Sequence, residues 1–301
     1  MSENFIAIDW GSTNLRAWLY VQGLCVDFLS SESGVTRLQG QTPQQVFSHL
    51  MQPWFQDYGD LPAIMAGMVG SNAGWQVVPY LSCPVALGEV VTQHLTTIRS
   101  PNSSVIHIIP GLCINRPDNS NVMRGEETQI IGAHQLHKSS RYLMPGTHSK
   151  WVQMSGDYVD DFRTVITGEL HYLLLQHGLI GIGIGEQHVS QDAFRQGLDI
   201  GFNDAGVIRN LFEVRAAHLL GKRSKGTVSD WLSGVLIGNE IAQMQQTYAL
   251  HASDSVTLIG SPKLNERYAT ALNFAGIAYQ TIDGDIAFQT GIRSIANALG
   301  Y

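Results

Sequence analysis

The sequence predicts an α/β protein of two lobes, on three observations. Its 301 residues are long for one domain and fit two domains of roughly 140–150 residues each. Residues 5–30 read as three consecutive strands, after which helical and strand patterns alternate. A strand, glycine turn, strand plan at the N-terminus returns at 142–154. The lobes are therefore expected to be duplicates of one plan, an N-terminal lobe at 1–140 and a C-terminal lobe at 141–301.

Taken in order, Phe5-Ile6-Ala7-Ile8 is an apolar strand and Trp10-Gly11-Ser12-Thr13 a turn. Residues 15–20 alternate, with Leu15, Ala17 and Leu19 on one face and Arg16, Trp18 and Tyr20 on the other. Gln22-Gly23 turns into a third strand at 24–30. This start differs from a Rossmann unit, in which a helix follows the first strand at once. A short strand at 63–65 leads into Ala66-Gly67-Met68-Val69-Gly70-Ser71-Asn72, with Ser71-Asn72 expected at a helix start. A strand at 105–109 ends at Pro110-Gly111, and a helix begins near Arg124-Gly125-Glu126-Glu127 and runs towards Leu136. Tyr142-Leu143-Met144 enters Pro145-Gly146-Thr147-His148, followed by a strand at 151–154. Helices are expected near 171–177 and 230–244, a strand at 256–259 ending at Gly260-Ser261, and a helix over 264–275. A short strand at 277–281, an Asp283-Gly284-Asp285 turn and a final helix at 285–299 close the chain. That helix is expected to pack back towards the N-terminal lobe.

Composition narrows the function. Hydrophobic residues at 44% and charged residues at 14% supply large cores and little material for disordered tails. A net charge of −7 argues against a broad nucleic-acid footprint. An anionic ligand can still be held where backbone N–H groups, a helix N-terminus and a metal act locally. Cys25, Cys83 and Cys113 form no CxxC pair, so three buried, reduced thiols are expected rather than a zinc site or a disulfide framework. The N-terminal apolar run is too short for a signal peptide, and no apolar stretch reaches the roughly 18 residues of a membrane span. A cytoplasmic protein without nucleic-acid or membrane partners is expected; a homo-oligomer stays open.

The strongest chemical signal is Ile6-Ala7-Ile8-Asp9-Trp10-Gly11-Ser12-Thr13-Asn14-Leu15-Arg16. A carboxylate ends a buried strand and a tight turn with hydroxyl and amide side chains follows. Gly11 lets the backbone approach a phosphate, and the N–H groups of the turn can cradle it. Asp9 can hold Mg²⁺ through water, because that ion dehydrates reluctantly. An ordinary β-hairpin would use the same Asp, Ser and Asn only to satisfy its turn.

This segment resembles the first phosphate motif of the sugar kinase, hexokinase and actin superfamily. Met144-Pro145-Gly146-Thr147-His148-Ser149-Lys150-Trp151 resembles its second phosphate motif, and Val256-Thr257-Leu258-Ile259-Gly260 its adenosine motif. The stretches at 9–16, 65–72, 122–129, 145–148 and 288–295 are similar to the 2-dehydro-3-deoxygalactonokinase family. The resemblance implies a two-lobed actin-like ATPase fold, ribonuclease H-like and duplicated, with a cleft between the lobes. It implies ATP and Mg²⁺ as cofactors and a small sugar acid as substrate. The reaction would be phosphorylation of the 6-hydroxyl of a 2-keto-3-deoxy sugar acid in galactonate breakdown.

Site residues follow from the same resemblance. Phosphoryl transfer to an alcohol needs positioning, charge neutralisation and a carboxylate that takes the hydroxyl proton. The superfamily's base is an Asp near a helix start before the second phosphate motif; here that stretch carries Glu126, the candidate base. Glu127 is the rival, and a helix-capping glutamate the alternative without chemistry. Arg124 could pair with the substrate carboxylate, as could Ser71-Asn72, while Arg16 could contact substrate or phosphate. Gly11, Ser12, Thr13, Asn14, Gly146, Thr147 and His148 are the phosphate candidates. Lys150 is either a phosphate contact or a solvated charge at a strand edge. Gly260 and Ser261 are the adenosine candidates, with Ser261 standing where the superfamily often has a second glycine.

Other signals carry less. Gly221-Lys222 continues with Arg223, so it is no Walker A motif. Gly181-Ile182-Gly183-Ile184-Gly185 has GxGxG spacing after a helical stretch and reads as a connection. His134 and His137 lie one helical turn apart with no third metal ligand in view. Trp10 and Trp75 either line the cleft or pack in the core.

Overall fold

The computed structural model describes residues 4–204, 206–251 and 253–301. In chain order the first elements are β1 (Phe5–Trp10), β2 (Leu15–Val21), β3 (Leu24–Ser31), α1 (Pro43–Tyr58) and β4 (Ala63–Ala66). Next come β5 (Leu81–Ser82), β6 (Val85–Ala86), α2 (Leu87–Thr92), β7 (Thr96–Arg99), β8 (Val105–Ile108), β9 (Leu112–Arg116) and β10 (Asn119–Met123). They are followed by α3 (Glu126–Leu136), β11 (Arg141–Met144), β12 (Ser149–Ser155), β13 (Tyr158–Val165) and α4 (Thr167–Gln176). The remainder is α5 (Gln191–Asn203), α6 (Val207–Leu219), α7 (Val228–Thr247), β14 (Ser255–Gly260), α8 (Pro262–Phe274), β15 (Ala278–Asp283) and α9 (Gly284–Leu299).

The chain divides into two units. The first contains 1–138, 152–162 and 284–301, and the second contains 139–151 and 163–283. Neither is a contiguous half of the sequence, because the last helix and part of the β12–β13 hairpin belong with the first unit.

In the first unit the main sheet runs β3-β2-β1-β4-β8-β7. β1 pairs antiparallel with β2 and parallel with β4, and Asp9 stands opposite Arg16. One face packs Ile6, Ile8, Leu15, Ala17 and Leu19 against Val46, Phe47, Met51 and Trp54 of α1. On the other face, which carries Arg16, Trp18 and Tyr20, both aromatic rings are buried too. The cause is α9: Phe288 lies 5.2 Å from Trp18, and the Tyr20 hydroxyl donates to Gln289 Oε1 at 3.0 Å. The sequence reading assigned no helix at 43–58, although Thr42 and Gln45 form a reciprocal capping box around Pro43. Cys25 is exposed on the edge strand β3, and Cys83 and Cys113 are half-buried, where three buried thiols were expected.

α3 and α9 approach closely because each has a glycine at the contact. A Cβ added to Gly132 would lie 1.9 Å from the Ala287 carbonyl oxygen, and one at Gly291 would lie 2.0 Å from that of Thr128. Backbone cannot rotate away as a side-chain tip can. Gly291→Ala is expected to lose about 3 kcal/mol or more, the upper end for overpacking. In Gly88→Ala the added methyl meets nothing within 4 Å, and that helical position is expected to be neutral or stabilised. Urea unfolding of the two variants checks the contrast.

The second unit repeats the strand order. The six-stranded sheet to which it contributes runs β6-β13-β12-β11-β14-β15; the stretch β13-β12-β11-β14-β15 matches β3-β2-β1-β4-β8, and β14 lies parallel to both neighbours. The core joins Leu143, Trp151, Val256 and Leu258 of the sheet to Ile237 and Ile241 of α7 and to Tyr268 and Leu272 of α8. α5 and α7 interlock through Gly197, Gly201, Gly234 and Gly238, each with helix backbone where a Cβ would stand. The strand β15 runs through Asp283 directly into α9, so the expected Asp283-Gly284-Asp285 turn is absent among the described residues. No helix among them is long and apolar enough to cross a membrane.

Candidate active site

In the first unit, Asp9 closes β1 and the β1–β2 turn follows. Gly11 N–H bonds the Asn14 carbonyl at 2.9 Å, closing the turn. The carbonyls of Gly11, Ser12 and Thr13 accept from Val35, Thr36 and Gly34 at 3.0–3.1 Å. Among the described residues no backbone hydrogen bond occupies the N–H groups of Ser12 and Thr13, and both residues are exposed. Unpaired donors on an exposed turn suit an anion. The steric requirement for glycine lies at Gly34, where a Cβ would stand 2.3 Å from the Ser12 carbonyl oxygen; at Gly11 the nearest atom is 3.6 Å away. Sequence reasoning missed Gly34, which lies far along the chain from the turn it supports.

Arg16 donates to both Asp9 and Asp285, so this cation is shared by two carboxylates. Burial pushes the Asp9 carboxyl above its usual range; Arg16 opposes this, while Glu126 and Asp285 add to it. Gly67 follows β4 beside this carboxylate: a Cβ there would lie 2.8 Å from the Trp10 carbonyl oxygen and 3.4 Å from Asp9 Oδ1. At Gly125 an added Cβ would lie 3.2 Å from the Gly67 Cα, which brings the start of α3 to the same place.

At that helix start both glutamates turn back towards the preceding backbone. The Arg124 N–H donates to Glu126 Oε2 at 3.0 Å, and the Gly125 N–H donates to both Glu127 oxygens at 2.7 and 2.9 Å. Glu127 is fully buried, and burial pushes its carboxyl up to about 8, with Glu126 adding to the rise. Glu126 remains half-exposed. Glu127 is therefore a capping carboxylate inside the fold, whereas Glu126 can be reached. An acid whose folded pKa is raised binds its proton more tightly when folded. Stability from this group is complete below the ordinary value of 4.5 and is lost as pH rises towards about 8. Glu127→Gln is expected to flatten the fall in stability across that window, as measured by urea unfolding at several pH values.

Arg124 precedes these residues and is 9% exposed. Its Nη2 donates to the Val78 carbonyl at 2.6 Å, and its guanidinium stacks 4.3 Å from the Tyr80 ring centroid. Gly70 makes room for it, since a Cβ there would stand 2.6 Å from Nη1. Nε and Nη1 have no hydrogen-bond partner among the described residues. Ser71 was expected at a helix start; instead it follows a short 3₁₀ turn over Met68–Gly70, and its hydroxyl donates to the Met68 carbonyl at 2.7 Å. Asn72 is exposed beside it. Trp10 is a core residue whose Nε1 donates to the Ser33 carbonyl, and Trp75 packs 5.4 Å from Phe47.

In the second unit a cavity of about 240 Å³ is lined by Gly146, Thr167, Gly168, His171, Arg267 and Tyr268, among others. Its floor is the 145–148 turn packed against the start of α4. A Cβ at Gly168 would lie 2.4 Å from the Gly146 carbonyl oxygen, and Glu169 N–H donates to the Thr147 carbonyl at 2.9 Å. Thr147 is exposed, and the exposed His148 ring contacts the Glu169 carboxylate at 2.6 Å. Lys150 is 4% exposed, so it is not a solvated strand-edge charge. Gly260 lies against Pro145, 3.6 Å from its Cδ to an added Cβ, and Asn265 Nδ2 donates to the Gly260 carbonyl at 3.1 Å. Ser261 occupies the N-cap position of α8 without a side-chain capping bond and is exposed. Thr167-Gly168 was not singled out from sequence, although a Thr-Gly pair between a strand and a helix was there to be read. His134 bonds Asp157 at 3.1 Å, and no group of three or more metal-ligating side chains occurs among the described residues.

The duplicated strand order and the glycine turn in each unit place the chain in the actin-like ATPase class. It superposes with a TM-score of 0.53 on the ADPNP-bound activator of the 2-hydroxyisocaproyl-CoA dehydratase from Clostridium difficile, at 13% identity, covering 99% of this chain and 93% of that one. The profile of the 2-keto-3-deoxy-galactonokinase family matches residues 9–295. Over 299 residues, 99% of each chain, the sequence is 50% identical to the 2-dehydro-3-deoxygalactonokinase of Escherichia coli strain K12. A crystal structure from Sinorhizobium meliloti, provisionally named a 2-dehydro-3-deoxygalactonokinase, superposes with a TM-score of 0.88 at 32% identity, covering 98% of this chain and 99% of that one. The chain belongs to the 2-keto-3-deoxy-galactonokinase family.

Proposed function

We propose that the protein transfers the terminal phosphoryl group of ATP to the 6-hydroxyl of 2-dehydro-3-deoxy-D-galactonate in cytoplasmic galactonate catabolism. The observation that carries the substrate class is Arg124. A buried guanidinium with two unpartnered nitrogens is costly unless an anion completes it. A planar carboxylate matches that fork, and a sugar acid has one where a neutral sugar does not.

Glu126 is the reachable carboxylate at the α3 start and takes the proton of the attacking hydroxyl. Arg16, Ser71 and Asn72 surround the same ligand. The turn of Gly11, Ser12, Thr13 and Asn14 receives phosphate through the N–H groups of Ser12 and Thr13, with the Gly11–Asn14 bond holding its shape, and Gly146, Thr147, His148 and Lys150 receive phosphate as well. The cavity of the second unit takes the nucleoside, with Gly260 and Ser261 at its adenosine end. Mg²⁺ fits as a hydrated ion: Asp9 is tied to Arg16, and the glycine at position 67 leaves its Oδ1 face uncovered. Held by Asp9 through water, the ion would supply neutralisation of phosphate charge.

The test is a coupled ADP-release assay with Mg-ATP across neutral sugars and 2-keto-3-deoxy sugar acids. Turnover is expected with 2-keto-3-deoxygalactonate and not with the neutral sugars. Equal turnover on a neutral sugar would remove the role of Arg124, and turnover only on another sugar acid would keep the kinase and change its substrate.

A further inference from the structure

One buried carboxylate has no part in the chemistry above. Glu240, on α7, is 2% exposed, yet four side chains donate to it. Its Oε1 accepts from Trp151 Nε1 at 2.8 Å, and its Oε2 accepts from Thr167 Oγ1 at 2.5 Å, Tyr268 OH at 2.7 Å and Ser149 Oγ at 3.4 Å. Burial pushes the carboxyl up and the four hydrogen bonds pull it back. The donors come from three elements, β12, α4 and α8. Thr167 and Tyr268 also line the cavity, and Thr167 is the residue before Gly168, which packs on the Gly146 carbonyl.

A buried acid with this many partners is rarely a gain over well-packed apolar groups. What it offers is a fixed geometry for the elements it joins. We propose that Glu240 is a positioning residue for the nucleotide: it holds the start of α4 and the Tyr268 face of α8 in place, so that the cavity floor at Gly146 and Gly168 is formed before ATP arrives. The proposal rests on the reading of this cavity as the nucleotide seat.

The test measures ADP affinity by calorimetry, KM for ATP and for the sugar acid, and Tm. Glu240→Gln puts an amide donor where hydroxyls now donate. It is expected to weaken ADP binding and raise the KM for ATP by about tenfold, the scale of one hydrogen bond to a charged group, with the KM for the sugar acid unchanged. Thr167→Val should act in the same direction and Thr167→Ser should restore affinity. The double variant Glu240→Gln/Thr167→Val should be no worse than the weaker-binding single one, because both break one contact. If Glu240→Gln does not fold, Tyr268→Phe and Thr167→Val carry the test with the carboxylate retained. Lys263→Ala, at the cavity wall and not bonded to Glu240, probes the seat separately. Weaker ADP binding in both Lys263→Ala and Glu240→Gln supports the proposal. Weaker binding in Lys263→Ala alone, with only Tm lowered in Glu240→Gln, overturns the role of Glu240 and leaves the seat standing. Unchanged affinity in both overturns the seat, and the proposal with it.

Discussion

Glu126→Gln is expected to lower kcat by about 10²- to 10⁴-fold, the range for loss of a general base, with little change in the KM for either substrate. The amide is isosteric and can still accept the Arg124 N–H that the carboxylate now binds at 3.0 Å. Folding should therefore survive, and the loss should fall on proton removal. Glu127→Gln provides the contrast. Its carboxyl is pushed up to about 8, so near neutral pH it is already largely protonated, and its bonds from Gly125 N–H can be kept by an amide oxygen. A small effect on kcat is expected there. Turnover of Glu126→Gln within a few-fold of the wild type, measured by ADP release at saturating substrates, would remove it as the base. A collapse in Glu127→Gln at unchanged Tm would transfer the role to its neighbour.

The pair also shows what the sequence could and could not say. Two adjacent glutamates at a helix start look equivalent as letters, and only the backbone direction decides which one turns inward. The turns bearing Asp9 and Gly146 were legible because a buried strand running into a glycine turn is a local pattern. So were α3, α7 and the strand β14, whose apolar runs are long or sharply bounded. The supports of those turns were not legible. Gly34 backs the first turn and Gly168 the second, each through a contact between segments that are not neighbours in sequence. The burial of Trp18 and Tyr20 was not legible for the same reason: the helix that covers them begins at Gly284, near the far end of the chain. α1 was missed despite its capping box, because its buried residues Val46, Phe47, Met51 and Trp54 are spaced among polar ones and Pro53 interrupts the pattern. Ser71 was misplaced because a 3₁₀ turn has too few residues to show a period.

Arg124→Met is expected to raise the KM for the sugar acid by about 10²- to 10³-fold, the worth of roughly two charge-assisted hydrogen bonds, while the KM for ATP stays constant. A carboxylate far from the reacting hydroxyl is bound alike in ground and transition states, so the loss should sit in KM and not in kcat. That split separates Arg124 from Glu126, whose removal should do the reverse. Lysine should recover little, because an ammonium cannot present the two parallel donors of Nε and Nη1. The same variant should be no less stable than the wild type. In the free protein the guanidinium bonds the Val78 carbonyl and stacks on the Tyr80 face while its Nε and Nη1 find no hydrogen-bond partner among the described residues, and methionine keeps the contact with the ring. A buried guanidinium with two unpartnered nitrogens is a cost that a purely structural residue would have no reason to carry. If Tm instead falls by many degrees and the KM for the sugar acid is unchanged, the guanidinium is a structural brace between Val78 and Tyr80, and the substrate carboxylate must be held elsewhere.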